Sequence, residues 1–287
     1  FRDVVLANEA YVDLIVNGPY TLDLAHMGLV DENLAPNFYD GQVRVIDHEG
    51  TEICRYTEPE YADHVAEHVE PWTYLKFPFL KQRGWQGFVE GKDSPLYTAT
   101  PLSRLNVAER MATPKAQEAY EEMFATLGGR PCQALMGAHW ARLVEMVQNA
   151  ETLQKYCDDP EITGDEYRVV PDEITGEGVG IVEAMRGTLT HHYTCDENGI
   201  CTSANLIVGT TNNNAAIHMV TKKVAATMIK PGTEPDQGIL NLVEMAFRSF
   251  DPCYSCATHS LPGKMPLQVD VVQGGETVRT FLRGVGT

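Results

Sequence analysis

The sequence predicts an α+β fold, a mainly helical core with β-hairpins at its periphery. A stretch between residues 113 and 157 keeps the apolar spacing of helices, and short alternating segments broken by Gly-containing turns lie on either side of it. With 287 residues, 43% of them hydrophobic and 22% charged, the chain carries enough apolar content to bury a sizeable core.

The elements follow in order. Residues 41–56, "GQVRVIDHEGTEICRY", read as a hairpin, because Val43, Val45 and Ile53 flank the turn "DHEG". Residues 57–101 are rich in Pro, Gly and aromatics and read as an irregular, packed connection. Thr113 then offers an N-cap, Pro114 a first helical position and Gly128-Gly129 a stop. In the next helix Trp140, Leu143, Val144 and Val147 recur at i, i+3, i+4 and i+7. Residues 158–178 are acidic and turn-rich, which predicts a surface excursion. From Gly180 to Asn214 the pattern is strand, loop, strand, a turn at "DENG", and strand. Helices follow through "AAIHMVTKKVAATMI" and "TEPDQGILNLVEMAFRSF", the second with Thr233 as its expected cap, and it delivers Asp251 and Cys253 at its C-terminal end. The tail alternates Leu267, Val269, Val271 and turns at Gly274-Gly275, a hairpin signal. No internal repeat or low-complexity tract is present.

Composition excludes some functions. A formal net charge of −18 argues against nucleic acid, whose phosphates require Lys and Arg to displace counterions. No run of about 18 apolar residues predicts a membrane span. Seven cysteines, an odd number, do not form a disulfide framework, and Cys54, Cys132 and Cys157 are expected to be buried thiols in a cytoplasmic protein. The chain starts at Phe1 without Met or a signal-peptide pattern, so it is expected to be a fragment.

The chemistry concentrates in "DPCYSCATH", residues 251–259. A Cys-x-x-Cys pair alone is compatible with a redox dithiol, half of a structural zinc site, or two incidental buried thiols. A dithiol motif opens a helix, whose N-terminus favours the thiolate, whereas this pair is expected to follow one. A zinc site needs a second pair, and Cys195 and Cys201 flank a hairpin turn instead. Two thiolates with His259 also supply soft ligands for nickel or iron, and Asp251 beside them can accept a hydrogen bond or carry a proton.

Together with "EAMRGTL" and "NLIVGTTNNN" upstream, the pattern Asp-Pro-Cys-x-x-Cys-x-x-His resembles the C-terminal motif of nickel–iron hydrogenase large subunits. "PWTYLKFPFLK", "PLSRLNVAERMATP" and "AHWARLVEMVQNAE" extend the resemblance over most of the chain, and favour the soluble NAD-reducing or heterodisulfide-reductase-linked branch. The resemblance implies that Cys253 is a terminal nickel ligand and Cys256 bridges nickel and an iron carrying CO and cyanide. It implies magnesium at His259 and at the backbone carbonyl of Leu206, Arg186 above the metals, and Thr210 hydrogen-bonded to a cyanide. Met185 stands where the family usually has a proline that shapes the cyanide pocket. Cys253, Arg186 and Asp251 are then the catalytic candidates for reversible heterolytic cleavage of H2. The implied partners are an iron–sulfur small subunit carrying the clusters, diaphorase or heterodisulfide-reductase-type subunits, and a maturation endopeptidase. That peptidase would divide the chain into residues 1–259, the C-terminal part of the large-subunit domain, and an extension, 260–287. The family's first ligand pair, Arg-x-Cys-Gly-x-Cys, has no match, so the fragment is expected to be inactive alone.

Each residue also has a plainer reading. Arg186 is compatible with a surface position, although the glycine after it permits close backbone approach. His191 and His192 are adjacent in a strand and face opposite ways, so at most one can line a site, and both are expected to be structural or to support the site from behind. "TTNNN" reads as a helix-cap or turn cluster, and His139 and His218 as helix residues that are not ligands. His26, His48, His64 and His68 belong to no constellation. The rival functions are a hydrogen-sensing relative, a metal-free structural subunit of the related respiratory complex I type, and a zinc-stabilised interaction protein.

Overall fold

The two-residue alternation around "DHEG" produces the expected hairpin. In the computed structural model, which describes residues 5, 7–232, 236–258 and 267–283, helix α1 (Glu9–Asn17) leads to strand β1 (Ala25–Val30), and the hairpin is β2 (Gln42–Ile46) with β3 (Glu52–Tyr56). Asp47 closes its turn by accepting from the backbone N–H groups of Glu49 and Thr51. A short helix α2 (Tyr61–His64) follows, and then a second hairpin, β4 (Val65–Val69) with β5 (Lys76–Leu80). This hairpin corrects the irregular connection expected over 57–101. Pro78 obscures it in the sequence, yet a two-stranded sheet tolerates proline because each strand has a free edge.

Strand β6 (Tyr97–Thr98) pairs in parallel with β1, which gives a four-stranded sheet of order β3-β2-β1-β6. Beyond it come helices α3 (Pro101–Val107), α4 (Pro114–Thr126) and α5 (Gly137–Cys157). Thr113 and Pro114 start α4 as expected, but the Thr113 side chain makes no capping bond. The Glu151 carboxylate on α5 accepts the free N–H groups of Lys115 and Ala116 instead. The buried face of α5 is also rotated from the apolar stripe, since Leu143 is 36% exposed while Glu145 and Gln148 are buried. Residues 158–178 are exposed almost throughout, as an acidic excursion should be.

Strands β7 (Glu177–Ala184), β8 (Gly187–Cys195) and β9 (Cys201–Ile207) form an antiparallel sheet in that order. They lead into α6 (Gly209–Asn212), α7 (Asn214–Met228) and α8 (Gln237–Arg248). Asp236, whose side chain accepts from Ile239 N–H at 2.8 Å, caps α8, and Thr233 lies outside the described residues. Helix α9 (Tyr254–Thr258) begins directly after Cys253, and the tail hairpin is β10 (Leu267–Gln273) with β11 (Glu276–Arg283), turning at Gly274-Gly275 as expected. The expectation that the cysteine pair only follows a helix is therefore corrected: Asp251 and Pro252 end one helical run, and the next begins at once.

The architecture is α+β. One core joins α3, α4, α5 and α7 through Leu105, Met123, Phe124, Trp140, Val144 and Val220. A second lies between the four-stranded sheet and the β7–β9 sheet, at Met27, Leu29, Val45, Ile181 and Ile207. Cys132 is buried as expected, Cys54 is half-buried, and Cys157 is exposed because it ends α5 beside the acidic excursion.

His26 lies inside the first sheet, among Thr98, Ser103, Asn106 and Gln133. Burial lowers its pKa to about 4, against a hydrogen bond with Gln133 that works the other way. The folded value is below the ordinary one, so the stabilisation is complete above about pH 6.5 and is lost as pH falls toward 4. Unfolding measured across that range should show about 3 kcal/mol of pH-dependent loss from this group. In His26→Gln the total loss over that range should be smaller by about 3 kcal/mol.

Candidate metal centre

The site rests on one buried guanidinium. Gly28 of β1 carries no side chain, and a Cβ there would come within 3.0 Å of Arg104 Cα, so α3 lies directly on the strand. Arg104 is fully buried. Its Nε and Nη2 donate to the two Glu145 carboxylate oxygens at 2.6 and 2.9 Å. Its Nη1 donates to Glu183 Oε2 and to the Ala184 carbonyl, both at 2.8 Å, and Nη2 reaches the Met185 carbonyl at 3.3 Å. These partners match the five N–H donors of a guanidinium. Burial opposes its charge, but the two carboxylates outweigh that and raise the Arg104 pKa above its ordinary value. Burial also pushes the Glu183 carboxyl up, while Arg104, Leu29 N–H and the Thr188 hydroxyl pull it down.

Glu183 therefore lies beneath the site, and the residues after it are presented above. Ala184 pairs with Gly187, so Met185 and Arg186 form the two-residue turn between β7 and β8. The turn is confined from both sides. A Cβ on Gly187 would overlap the Ala99 carbonyl oxygen, and one on Gly209 would lie 3.3 Å from Arg186 Cβ. Asn213 holds this contact: its Oδ1 accepts from Ala99 N–H, and its Nδ2 donates to the carbonyls of Ala99 and Gly209. Asn212 accepts from the Tyr97 hydroxyl at 2.6 Å and donates to the Thr188 carbonyl at 2.7 Å. The "TTNNN" cluster is a helix start, as expected, and also a clamp between β6, β8 and α6.

The third component arrives from α8. Phe250 is buried, and Asp251 adopts φ 49°, a left-handed conformation uncommon for a residue with a side chain. Arg186 Nε donates to the Asp251 carbonyl at 2.7 Å and lies 3.6 Å from the carboxylate, which is 3.7 Å from Arg142 Nη2 on α5. Cys253 N–H donates to Thr210 Oγ1 at 3.0 Å. The Cys253 and Cys256 sulfurs are joined as a disulfide, with Cα atoms 5.3 Å apart. Arg186, Asp251, Thr210 and the cysteine pair are thus brought together.

Other expected residues stand apart or outside. Leu206 sits on β9, half-buried, opposite His191. The Met185 side chain is 64% exposed. His259 lies outside the described residues, and so does the processing point after it. His192 bonds Tyr61 and Glu177 and His191 bonds Tyr193, which are structural roles. Cys195 and Cys201 oppose each other across β8 and β9 as free thiols. Among the described residues no three His, Cys, Asp or Glu side chains converge as a metal cage. Sequence reasoning does not single out Arg104, Glu145, Arg142 or Asn213 as supports. A signal exists for two of them: Arg104 is flanked by leucines and valine, and Glu145 directly follows Val144 on the apolar stripe.

The chain matches the nickel-dependent hydrogenase family over residues 14–259. It is 47% identical to an F420-non-reducing hydrogenase iron-sulfur subunit of Archaeoglobus profundus, covering 98% of this chain and 58% of that one. It is 38% identical to the NAD-reducing hydrogenase HoxS subunit beta of Cupriavidus necator, covering 94% and 54%. Among solved structures, an NAD+-reducing [NiFe]-hydrogenase in its H2-reduced state superposes with a TM-score of 0.77 at 32% identity, over 90% of this chain and 57% of that one. The chain thus spans little more than half the length of these relatives.

Removing Arg104 would strand two buried carboxylates. Arg104→Met is expected to cost about 3–5 kcal/mol in urea unfolding, whereas a surface change such as Arg168→Met should cost about 0.5 kcal/mol or less.

Proposed function

The chain belongs to the nickel-dependent hydrogenase family, and we propose that it forms the part of a catalytic large subunit that holds one side of a nickel–iron centre. The supporting observation is the convergence of Cys253, Cys256 and Asp251 with Arg186 and Thr210, from three separate segments of the chain. The donor set fits by its chemistry: the two sulfurs lie side by side, paired with each other here, and once reduced to thiolates both suit nickel and iron. The remaining ligands would come from residues outside this sequence, in keeping with its share of its relatives' length. When bound, the centre would supply the Lewis acidity and redox change for reversible heterolytic cleavage of H2.

The chain's own residues do the holding and the proton handling. Cys253 would hold nickel and Cys256 both metals, and the Cys253 sulfur, as a thiolate, would be a base able to hold a proton. Arg186 places a fixed positive charge beside them, oriented by the Asp251 carbonyl. The Asp251 carboxylate is an acceptor at the same point. Thr210 fixes the Cys253 backbone by accepting its N–H, which leaves the hydroxyl hydrogen for an anionic iron ligand such as cyanide. Met185 would border that ligand, and its exposed side chain gives a looser wall than a proline. His259 and the Leu206 carbonyl would hold magnesium.

The electrons would leave through the iron–sulfur clusters of a small subunit and through further electron-transfer subunits of diaphorase or heterodisulfide-reductase type. The names of the relatives, each a subunit of a hydrogenase and one of an NAD-reducing enzyme, support partner subunits. The setting would be cytoplasmic, for which the free thiols Cys54, Cys132, Cys157, Cys195 and Cys201 speak. Among the described residues no helix is long and apolar enough to cross a membrane. An endopeptidase would remove residues 260–287 after metal loading.

The test uses the full-length protein purified with its partner subunits from the host. Nickel and iron should be present in equal amounts, and Cys253→Ser should abolish H2 oxidation and lower nickel content at least about tenfold. Zinc alone would favour an interaction protein, and absence of metal a structural subunit of the complex I type. Mass spectrometry of the active complex should place the C-terminus at His259; a retained tail would remove the processing proposal.

A further inference from the structure

We propose that Arg142 is a positioning residue for the Arg186–Asp251 pair, and that α5 secures both arms of the site through side chains one turn apart. This rests on the function proposed above. Glu145 on α5 takes Arg104 in a two-point bond, and Arg104 in turn holds the carbonyls of Ala184 and Met185, which form the Arg186 arm. Arg142, three residues earlier on the same helix, faces the other arm at Asp251. The two arms meet where Arg186 Nε donates to the Asp251 carbonyl.

The geometry around the carboxylate shows what Arg142 does. Asp251 Oδ2 lies 3.7 Å from Arg142 Nη2 and 3.6 Å from Arg186 Nε, both longer than a charge-assisted hydrogen bond of about 2.8 Å. Two guanidiniums lie within ion-pair distance of one oxygen, and neither closes to a hydrogen bond. Neither cation is fully neutralised, and the left-handed turn at Asp251, two residues before Cys253, is held open. Without Arg142 the carboxylate is free to close onto Arg186, which would pair that charge and turn its head toward Asp251.

The experiment compares Arg142→Met and Arg142→Lys with the wild type in the mature complex. Crystal structures come first, because they do not depend on turnover. In Arg142→Met the Arg186–Asp251 carboxylate separation should shorten to about 2.8 Å, and in Arg142→Lys it should remain near its present value. A separation unchanged in Arg142→Met overturns the proposal. In kinetics, Arg142→Met should lower kcat for H2 oxidation about 10–100-fold, with metal content intact and KM for H2 within about twofold. Arg142→Lys should recover most of that loss. Unchanged kcat, or activity lost only in proportion to metal, overturns the proposal as well. If the wild-type complex turns over no H2, the hydrogenase reading falls while the crystallographic comparison still decides the role of Arg142.

Discussion

The bond between Arg104 and its five acceptors is the constraint on which the rest of the site depends. A charge so deeply buried is costly to desolvate, and its attraction to two carboxylates offsets that cost only when nearly every donor is used. The arrangement therefore admits little play. It joins α3 to α5 through Glu145 and to the end of β7 through Glu183, and it grips the carbonyls that precede Arg186. Apolar packing of the same volume would stabilise the core without specifying where the turn at Met185–Arg186 must lie.

Around that anchor the site divides into supports that are buried and groups that are not. Glu183, Asn212, Asn213 and Thr210 are buried, and each is bonded to backbone groups of another segment. Arg186, Asp251 and Cys256 remain partly or largely open. Rigid buried polar contacts fix the backbone, and the more open side chains project from it.

Much of the chain is legible from residue order. The first and last hairpins, the β7–β9 meander, and helices α4, α5, α7 and α8 all follow from local spacing, caps and turn residues, because these act within a few residues. Residue order misleads where distant partners decide. Pro78 hides the β4–β5 hairpin, and it is acceptable there only because no third strand requires its missing N–H. The buried face of α5 follows Trp140 and Val144 but leaves Leu143 out, because Glu145 and Gln148 turn inward to meet Arg104 and the Ala112 backbone. Cys157 departs from the buried thiols expected of it, since the end of a helix beside a solvated loop is exposed.

Residue order by itself determined the family and the spacing of the candidate ligands, since Cys-x-x-Cys-x-x-His after Asp-Pro is a local pattern. It also determined that Arg186 is followed by the glycine its turn requires. Tertiary structure alone decided that Arg186 meets Asp251 across 65 residues of chain, that Arg104 spans 41 residues to Glu145 and 79 to Glu183, and that Arg142 faces the same carboxylate. The reason is electrostatic and geometric: a charged side chain in a helix has several possible partners along the sequence, and only the packing of helices and sheets selects the one within hydrogen-bond reach.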